Sequence, residues 1–370
     1  MRKVNLVRPK LHDFNLFCER AKSAFESGIL TNNGPFAQEF EAKTSAYLHT
    51  PTLAFSNGTY PITLVLQGLG CTSGEIIIPS FTFVASAHAA VAAGLTPVFV
   101  EVDRETYTLD PAAVQRAITP KTVAIMGVHV FGNPCNIDAL QQLADKHKIS
   151  LIFDAAHAFG STYQGTRIGG FGAAETFSTH ATKTLISVEG GLVSTHNPAL
   201  IEFLKKGRNF GLYTAYDSEF IGTNAKLSEL HAIVGLDSLA HIDESVAKKR
   251  HIVSLYKKQL KEVAGIHFQR EQQDSQNAYF FFSILVEAKK FGMTRDQLAD
   301  ELEKHGVMVR KYFFKPLHQH KAYSAWNNVS LPNTEWIADN ILCLPTHTSL
   351  SDDDVEYVCE KIRLLQTQSR

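Results

Sequence analysis

The sequence predicts an α/β fold built on a largely parallel sheet with helices on both faces. Three observations carry that expectation. Short apolar runs rich in β-branched residues alternate with stretches of helical spacing through the first two thirds of the chain. One run, ISLIF at 149–153, ends in Asp154, which places a carboxylate at the carboxyl end of a buried strand, where open α/β sheets hold ligands. Residues 52–55, the turn Ser56-Asn57-Gly58-Thr59 and the pattern after Tyr60 read as strand, small-residue turn and helix N-terminus.

Taken in order, the chain starts with an arm and a helix ending at Ser27-Gly28, then a loop, LTNNGP at 30–35, whose Asn-Gly-Pro is turn punctuation. The helix at 60–69 has Ile62, Leu66 and Leu69 on one face. Its free N–H groups and positive dipole end suit an anion, although Ser-Asn-Gly-Thr also reads as a plain N-cap. A strand at 76–78 leads to Pro79-Ser80-Phe81-Thr82-Phe83, and Phe83 is either a core aromatic or a ring free to lie flat on a bound heterocycle. The long apolar stretch 83–102 is broken by Ser86, His88 and Pro97, so it divides into a buried helix and a strand and does not read as a membrane span.

Further strands are expected at 97–102, 122–129, 149–154 and 191–195, with helices at 111–117 and 137–146. Asn224 enters a helix at 228–239 whose Leu230, Ile233, Val234 and Leu239 form an apolar face. From Asp243 the charge density rises, with Val246, Val253, Tyr256, Leu260 and Val263 at helical spacing. This reads as a helix linking a large domain, 1–242, to a smaller α+β domain, 243–370, that continues with a strand at 278–286 and a helix at 294–305.

With 370 residues, 44% hydrophobic and 20% charged, the chain can bury one large core and a smaller second one. A net charge of -1 supplies no field that recruits nucleic acid or anionic lipid. Five widely spaced cysteines without a C-x-x-C pair argue against a disulfide frame or zinc site and suit a reducing compartment. The start, MRKVNLVRPKLHDF, lacks the apolar core of a signal peptide, so a cytoplasmic protein is expected. No G-x-G-x-x-G follows a strand, which leaves nicotinamide chemistry without support.

The chemistry points to FSTHATKTLISVEGG at 177–191, with Lys183 among small and hydroxylated residues. An amine in an electron-poor pocket has a depressed pKa and forms a Schiff base with a carbonyl; on a surface loop the same lysine is merely solvated. Asp154 suits the partner of a pyridine nitrogen, or else caps the next helix.

FDAAHAFGSTYQG and FSTHATKTLISVEGG, with SGILTNNGP, SNGTYPITLVLQGLG, IIPSFTFVASAHA, GRNFGL, GTNAKLSELHAIVGL, KYFFKPLH and CLPTHTSLSDDDV in their order, resemble the DegT/DnrJ/EryC1/StrS family of pyridoxal-phosphate-dependent nucleotide-sugar aminotransferases. The resemblance implies fold type I of the aspartate aminotransferase superfamily: a mostly parallel seven-stranded sheet between helices, plus a smaller C-terminal α+β domain. It implies pyridoxal 5'-phosphate on Lys183, the ring nitrogen against Asp154, and phosphate contacts from Asn57, Gly58, Thr59 and Ser178. Phe83 would cover one ring face and His157 the other, where several relatives have glutamine.

Asn224 would reach the phosphate of a neighbouring subunit, so that a homodimer completes each site. Lys226, where many relatives have arginine, together with Tyr312 and His318 would face substrate, and the loop at 30–35 would lie beside the sugar. The roles of His180, Glu189 and Arg208 stay open. The implied reaction carries an amino group from L-glutamate to a keto group, at C4 before C3, of a nucleotide-linked deoxysugar. Two other readings are a pyridoxal-dependent sugar dehydratase, whose relatives carry histidine in place of the Schiff-base lysine, and a regulatory protein that binds the cofactor without turnover.

Overall fold

A computed structural model describes residues 2–326 and 328–368. In chain order, α1 (Phe14–Ser27) and α2 (Pro35–Leu48) precede β1 (Thr52–Phe55), α3 (Tyr60–Gly68), β2 (Glu75–Pro79), α4 (Val84–Ala92) and β3 (Thr96–Val100). There follow α5 (Pro111–Ala117), β4 (Thr122–Val128), α6 (Ile137–His147), β5 (Ser150–Asp154) and the hairpin of β6 (Thr162–Tyr163) and β7 (Thr166–Arg167). The chain continues through β8 (Ala174–Ser178), β9 (Gly191–Ser194), α7 (Pro198–Gly207), α8 (Glu229–Ala240) and α9 (Ile242–Leu260).

Seven of these strands form one sheet in the order β1-β9-β8-β5-β4-β2-β3. The block from β8 to β3 is parallel, and β9 pairs antiparallel with both its neighbours. Because β1 opposes β9, it points the same way as the parallel block. The carboxyl ends of β1, β2, β4, β5 and β8 therefore share one edge.

Side chains alternate across the strands, and both faces are covered. Ile77, Ile125 and Phe153 pack in one core with Phe40 of α2, Val114 of α5, Leu140 of α6 and Leu236 of α8. Ile76, Ile78, Met126 and Ile152 face the other way, against Val65 of α3, Ala89 of α4 and Leu204 of α7. Near-continuous burial of Ile76, Ile77 and Ile78 is the physical reason this run reads as a strand buried on two sides.

A second sheet, antiparallel, orders Ile266–Phe268, Phe282–Val286 and Ile341–Leu344. Its core joins Ile284 and Leu342 to Ile252 and Tyr256 of α9, Leu298 and Leu302 of the helix Arg295–Lys304, and Val358 and Ile362 of the helix Asp352–Gln368. Val4 belongs to this core, and its N–H donates to Gly306 O at 2.8 Å.

Element ends agree with the sequence reading to within one or two residues, with two exceptions: α9 stops at Leu260, three residues short of Val263, and one strand starts late. The strand expected over 278–286 begins only at Phe282. Phe280 N donates instead to Phe131 O at 3.0 Å, and Phe280 and Phe281 turn into an aromatic cluster with Phe131 and Phe313. The stretch 83–102 divides into α4 and β3 as expected, and no described helix is long and apolar enough to cross a membrane.

Candidate active site

The shared carboxyl edge of the sheet opens into a cleft of about 580 Å³. The sheet side supplies Asn57, Gly58, Thr59, Phe83, Asp154, His157, Ser178 and Lys183. Opposite them stand Phe280, Phe281, Arg310 and Tyr312, and the arm residues Asn5, Leu6 and Val7 complete the wall.

After β1, Asn57 Oδ1 accepts from the N–H groups of Thr59 at 3.0 Å and Tyr60 at 2.9 Å, tying the turn to the start of α3. Pro61 in the first turn of α3 costs no hydrogen bond there. A Cβ on Gly58 would lie 2.9 Å from the Cβ of Ser178, so the turn after β1 and the end of β8 touch. For that reason Gly58→Ala is expected to lose about 1–3 kcal/mol in urea unfolding, because Ser178 must shift to admit the methyl group.

Asp154 is buried at the end of β5. Ser86 Oγ donates to its Oδ2 at 2.6 Å and Ala156 N–H to its Oδ1 at 3.1 Å. Since the Ser86 proton is spent on the carboxylate, the 2.9 Å contact between Thr82 and Ser86 runs from the Thr82 hydroxyl. Among the described residues Asp154 has no ion pair, so its charge is held by oriented hydroxyl and amide dipoles and stays available to a cation in the cleft.

Lys183 projects from the loop after β8, where its N–H donates to His180 O at 2.8 Å. Its Nζ lies 4.2 Å from the centroid of the Phe280 ring. Burial lowers its pKa to about 8, and the charge of Asp154 opposes that shift without cancelling it. The cleft therefore contains an amine far more often uncharged at neutral pH than a solvated lysine.

Phe83 is 53% exposed, an apolar face presented to the cleft. His157 stacks on Phe280 with centroids 4.3 Å apart, and its Nδ1 accepts from Phe131 N–H at 3.3 Å. That bond leaves the proton on Nε2, and burial pushes the imidazole pKa well down, so the ring is neutral. Ser178 Oγ accepts from His180 N–H at 3.4 Å. On the cleft wall His180 Nδ1 meets Thr182 Oγ1 at 2.9 Å, and its Nε2 lies 3.6 Å from Glu189.

Tyr312 lines the cleft, whereas three other residues singled out from sequence do not line it in their own chain. Lys226 Nζ donates to Asn209 Oδ1 at 2.9 Å and Asn224 Oδ1 at 2.8 Å, which joins Asn224 and Lys226 in one polar cluster beside Phe210. His318 is buried, with Nδ1 2.7 Å from Ser80 Oγ and Nε2 3.1 Å from Glu335. In the loop at 30–35, Asn33 Oδ1 accepts from Arg208 at 3.3 Å, and Arg208 pairs with Glu41.

Sequence reasoning missed Ser86, Phe280 and Arg310. Ser86 sits in an apolar helix where a lone hydroxyl gives no signal, though Thr82 four residues before it was a hint of a polar face. Phe280 was absorbed into an expected strand. Arg310, two residues before Tyr312, donates to Val309 O at 3.0 Å and forms no ion pair among the described residues, so it is a free cation on the cleft wall.

A sequence profile of the DegT/DnrJ/EryC1/StrS aminotransferase family matches residues 14–363. Over 360 residues the chain is 34% identical to the dTDP-4-amino-4,6-dideoxy-D-glucose transaminase of Shigella dysenteriae, covering 97% of this chain and 98% of that protein. Among solved structures, DesI in the presence of its TDP-sugar product has a TM-score of 0.95 at 36% identity, covering 100% of this chain and 94% of that one. S. venezuelae DesV in complex with a ketimine intermediate has a TM-score of 0.93 at 33% identity, with 99% of each chain covered.

Proposed function

Because the chain belongs to the DegT/DnrJ/EryC1/StrS aminotransferase family, we propose that its cleft holds pyridoxal 5'-phosphate on Lys183 and moves an amino group from L-glutamate to the keto group of a nucleotide-linked deoxysugar, at C4 before C3. The observation that carries this reading is one cleft lined by an amine of pKa about 8 and by a buried, hydrogen-bonded carboxylate. The donor set fits the cofactor. At the α3 N-terminus the Gly58 N–H and the Thr59 hydroxyl, beside Asn57 and with the Ser178 hydroxyl against Gly58, form a cradle of donors for a phosphate. Phe83 offers a flat apolar face, and neutral His157 adds no positive charge beside the ring.

When bound, the cofactor supplies an electron sink for carbon acid chemistry. Lys183 Nζ is its attachment point and then the base that takes the proton from the donor's α-carbon. Asp154 keeps the proton on the ring nitrogen, while Ser86 and Ala156 hold that carboxylate in register. Tyr312 contacts the sugar, with the loop at 30–35 beside it. His318 supports the wall through Ser80 and Glu335.

Asn224 and Lys226 serve the cleft of a second copy, which makes the working form a homodimer; their position off their own cleft supports this. Lysine at 226 neutralises an anion as a point charge, without the two-pronged geometry of arginine. We assign residues 1–242 to the large unit and 243–370 to the small one, in a cytoplasmic enzyme whose cysteines are free.

The test is to supply glutamate with a panel of nucleotide-linked 3-keto and 4-keto sugars and to identify products by mass spectrometry and NMR. A 4-amino sugar is expected, with the cofactor absorbance lost on adding glutamate and restored by the keto-sugar. An absorbance band that glutamate leaves unchanged would instead support the regulatory reading.

Covalent loading of the cofactor-free protein should also depend on pH. The uncharged amine is the nucleophile, so the rate is expected to rise about tenfold per pH unit below the Lys183 pKa of about 8 and to level off above it. Borohydride trapping at a series of pH values reads this directly. A plateau reached only above pH 10, at the solvated-lysine value, would contradict it.

A further inference from the structure

A second cavity of about 30 Å³ adjoins the cleft, sharing Val7, Thr182 and Lys183 with it. It has room for a water or a monatomic ion. None of the residues lining it is an aspartate or glutamate, whereas Arg8, Lys10, Lys183 and Lys249 all border it. Lys249, on α9, is only 5% exposed, and among the described residues its Nζ makes one hydrogen bond, to Thr184 Oγ1 at 3.0 Å. His347, 7% exposed, lines the same space, and its Nδ1 has no hydrogen-bond partner among the described residues.

The surrounding carboxylates are already engaged. Asp237 accepts from the N–H groups of His12 at 2.8 Å and Asp13 at 3.0 Å. Asp354 is held by Arg2 at 2.6 Å and Ser351 at 2.8 Å. A buried ammonium with one acceptor and no counter-charge is unfavourable, and it becomes favourable only by losing its proton or gaining an anion. Burial and the nearby Lys183 charge already push the Lys249 pKa down to about 7.

We propose that this cavity is a binding site for a small monovalent inorganic anion of chloride size, held by Lys249 Nζ, Thr184 Oγ1 and His347 Nδ1. Burial lowers the His347 pKa, so the ring takes up a proton as the anion enters, and the anion then accepts from His347 Nδ1–H and from Lys249.

Crystals of the protein as isolated, grown in sodium bromide, are expected to show an anomalous peak among those three atoms. Density for water alone, or for a carboxylate of a second copy, would overturn the assignment. In solution, exchanging sodium gluconate for chloride at equal ionic strength should raise the melting temperature by roughly 2 °C or more. Lys249→Met should erase that difference; should it fail to fold, His347→Gln carries the same comparison. Equal melting of the parent in the two salts, or a chloride effect that survives in the variants, would refute the site.

Discussion

Replacing Lys183 by alanine is expected to end covalent cofactor retention and to lower kcat by at least about 10⁴-fold, because one amine serves as both nucleophile and base. Among the described residues no other lysine lines the cleft of its own chain, and Lys249 is buried and bonded to Thr184. The fold should survive. Below pH 8 the cofactor-free parent keeps a charged amine whose burial is unfavourable, so the variant is expected to melt no lower than the cofactor-free parent at pH 7. Substantial residual transamination in single-turnover assays would remove Lys183 from the chemistry.

The second large effect is expected from Asp154→Asn, with kcat reduced about 10³-fold. The amide keeps the shape and can still accept from Ala156, so the change isolates the charge. It also reverses the polar chain behind the site: Ser86, which donates to Oδ2 in the parent, must accept from an amide nitrogen. Disturbing that chain alone is a smaller perturbation than removing the charge. A stopped-flow measurement of the glutamate half-reaction separates the effects; an Asp154→Asn rate within tenfold of the parent would sink the role assigned to the carboxylate.

The strand ending in Asp154 was legible because a run buried on both faces is continuously apolar, and a carboxylate at its end breaks that pattern abruptly. Its meeting with Lys183 was less so. The two come together because β5 and β8 are adjacent and parallel, pairing Asp154 with Thr176, although the β6–β7 hairpin intervenes in the chain. A single sequence does not reveal that adjacency; here the resemblance supplied it. Phe280 was hidden because an aromatic run suits a strand as well as an irregular cluster. The small anion cavity was invisible, since it forms where the arm, the Lys183 loop, α9 and residues 346–348 converge from distant parts of the chain.

The amino-terminal arm is fastened at both ends. Val4 bonds to Gly306, while His12 and Asp13 bond to Asp237, and the residues between them form part of the cleft wall. Val4 must meet Gly306 before the wall can close, and joining segments so far apart in sequence makes this closure a late event in folding.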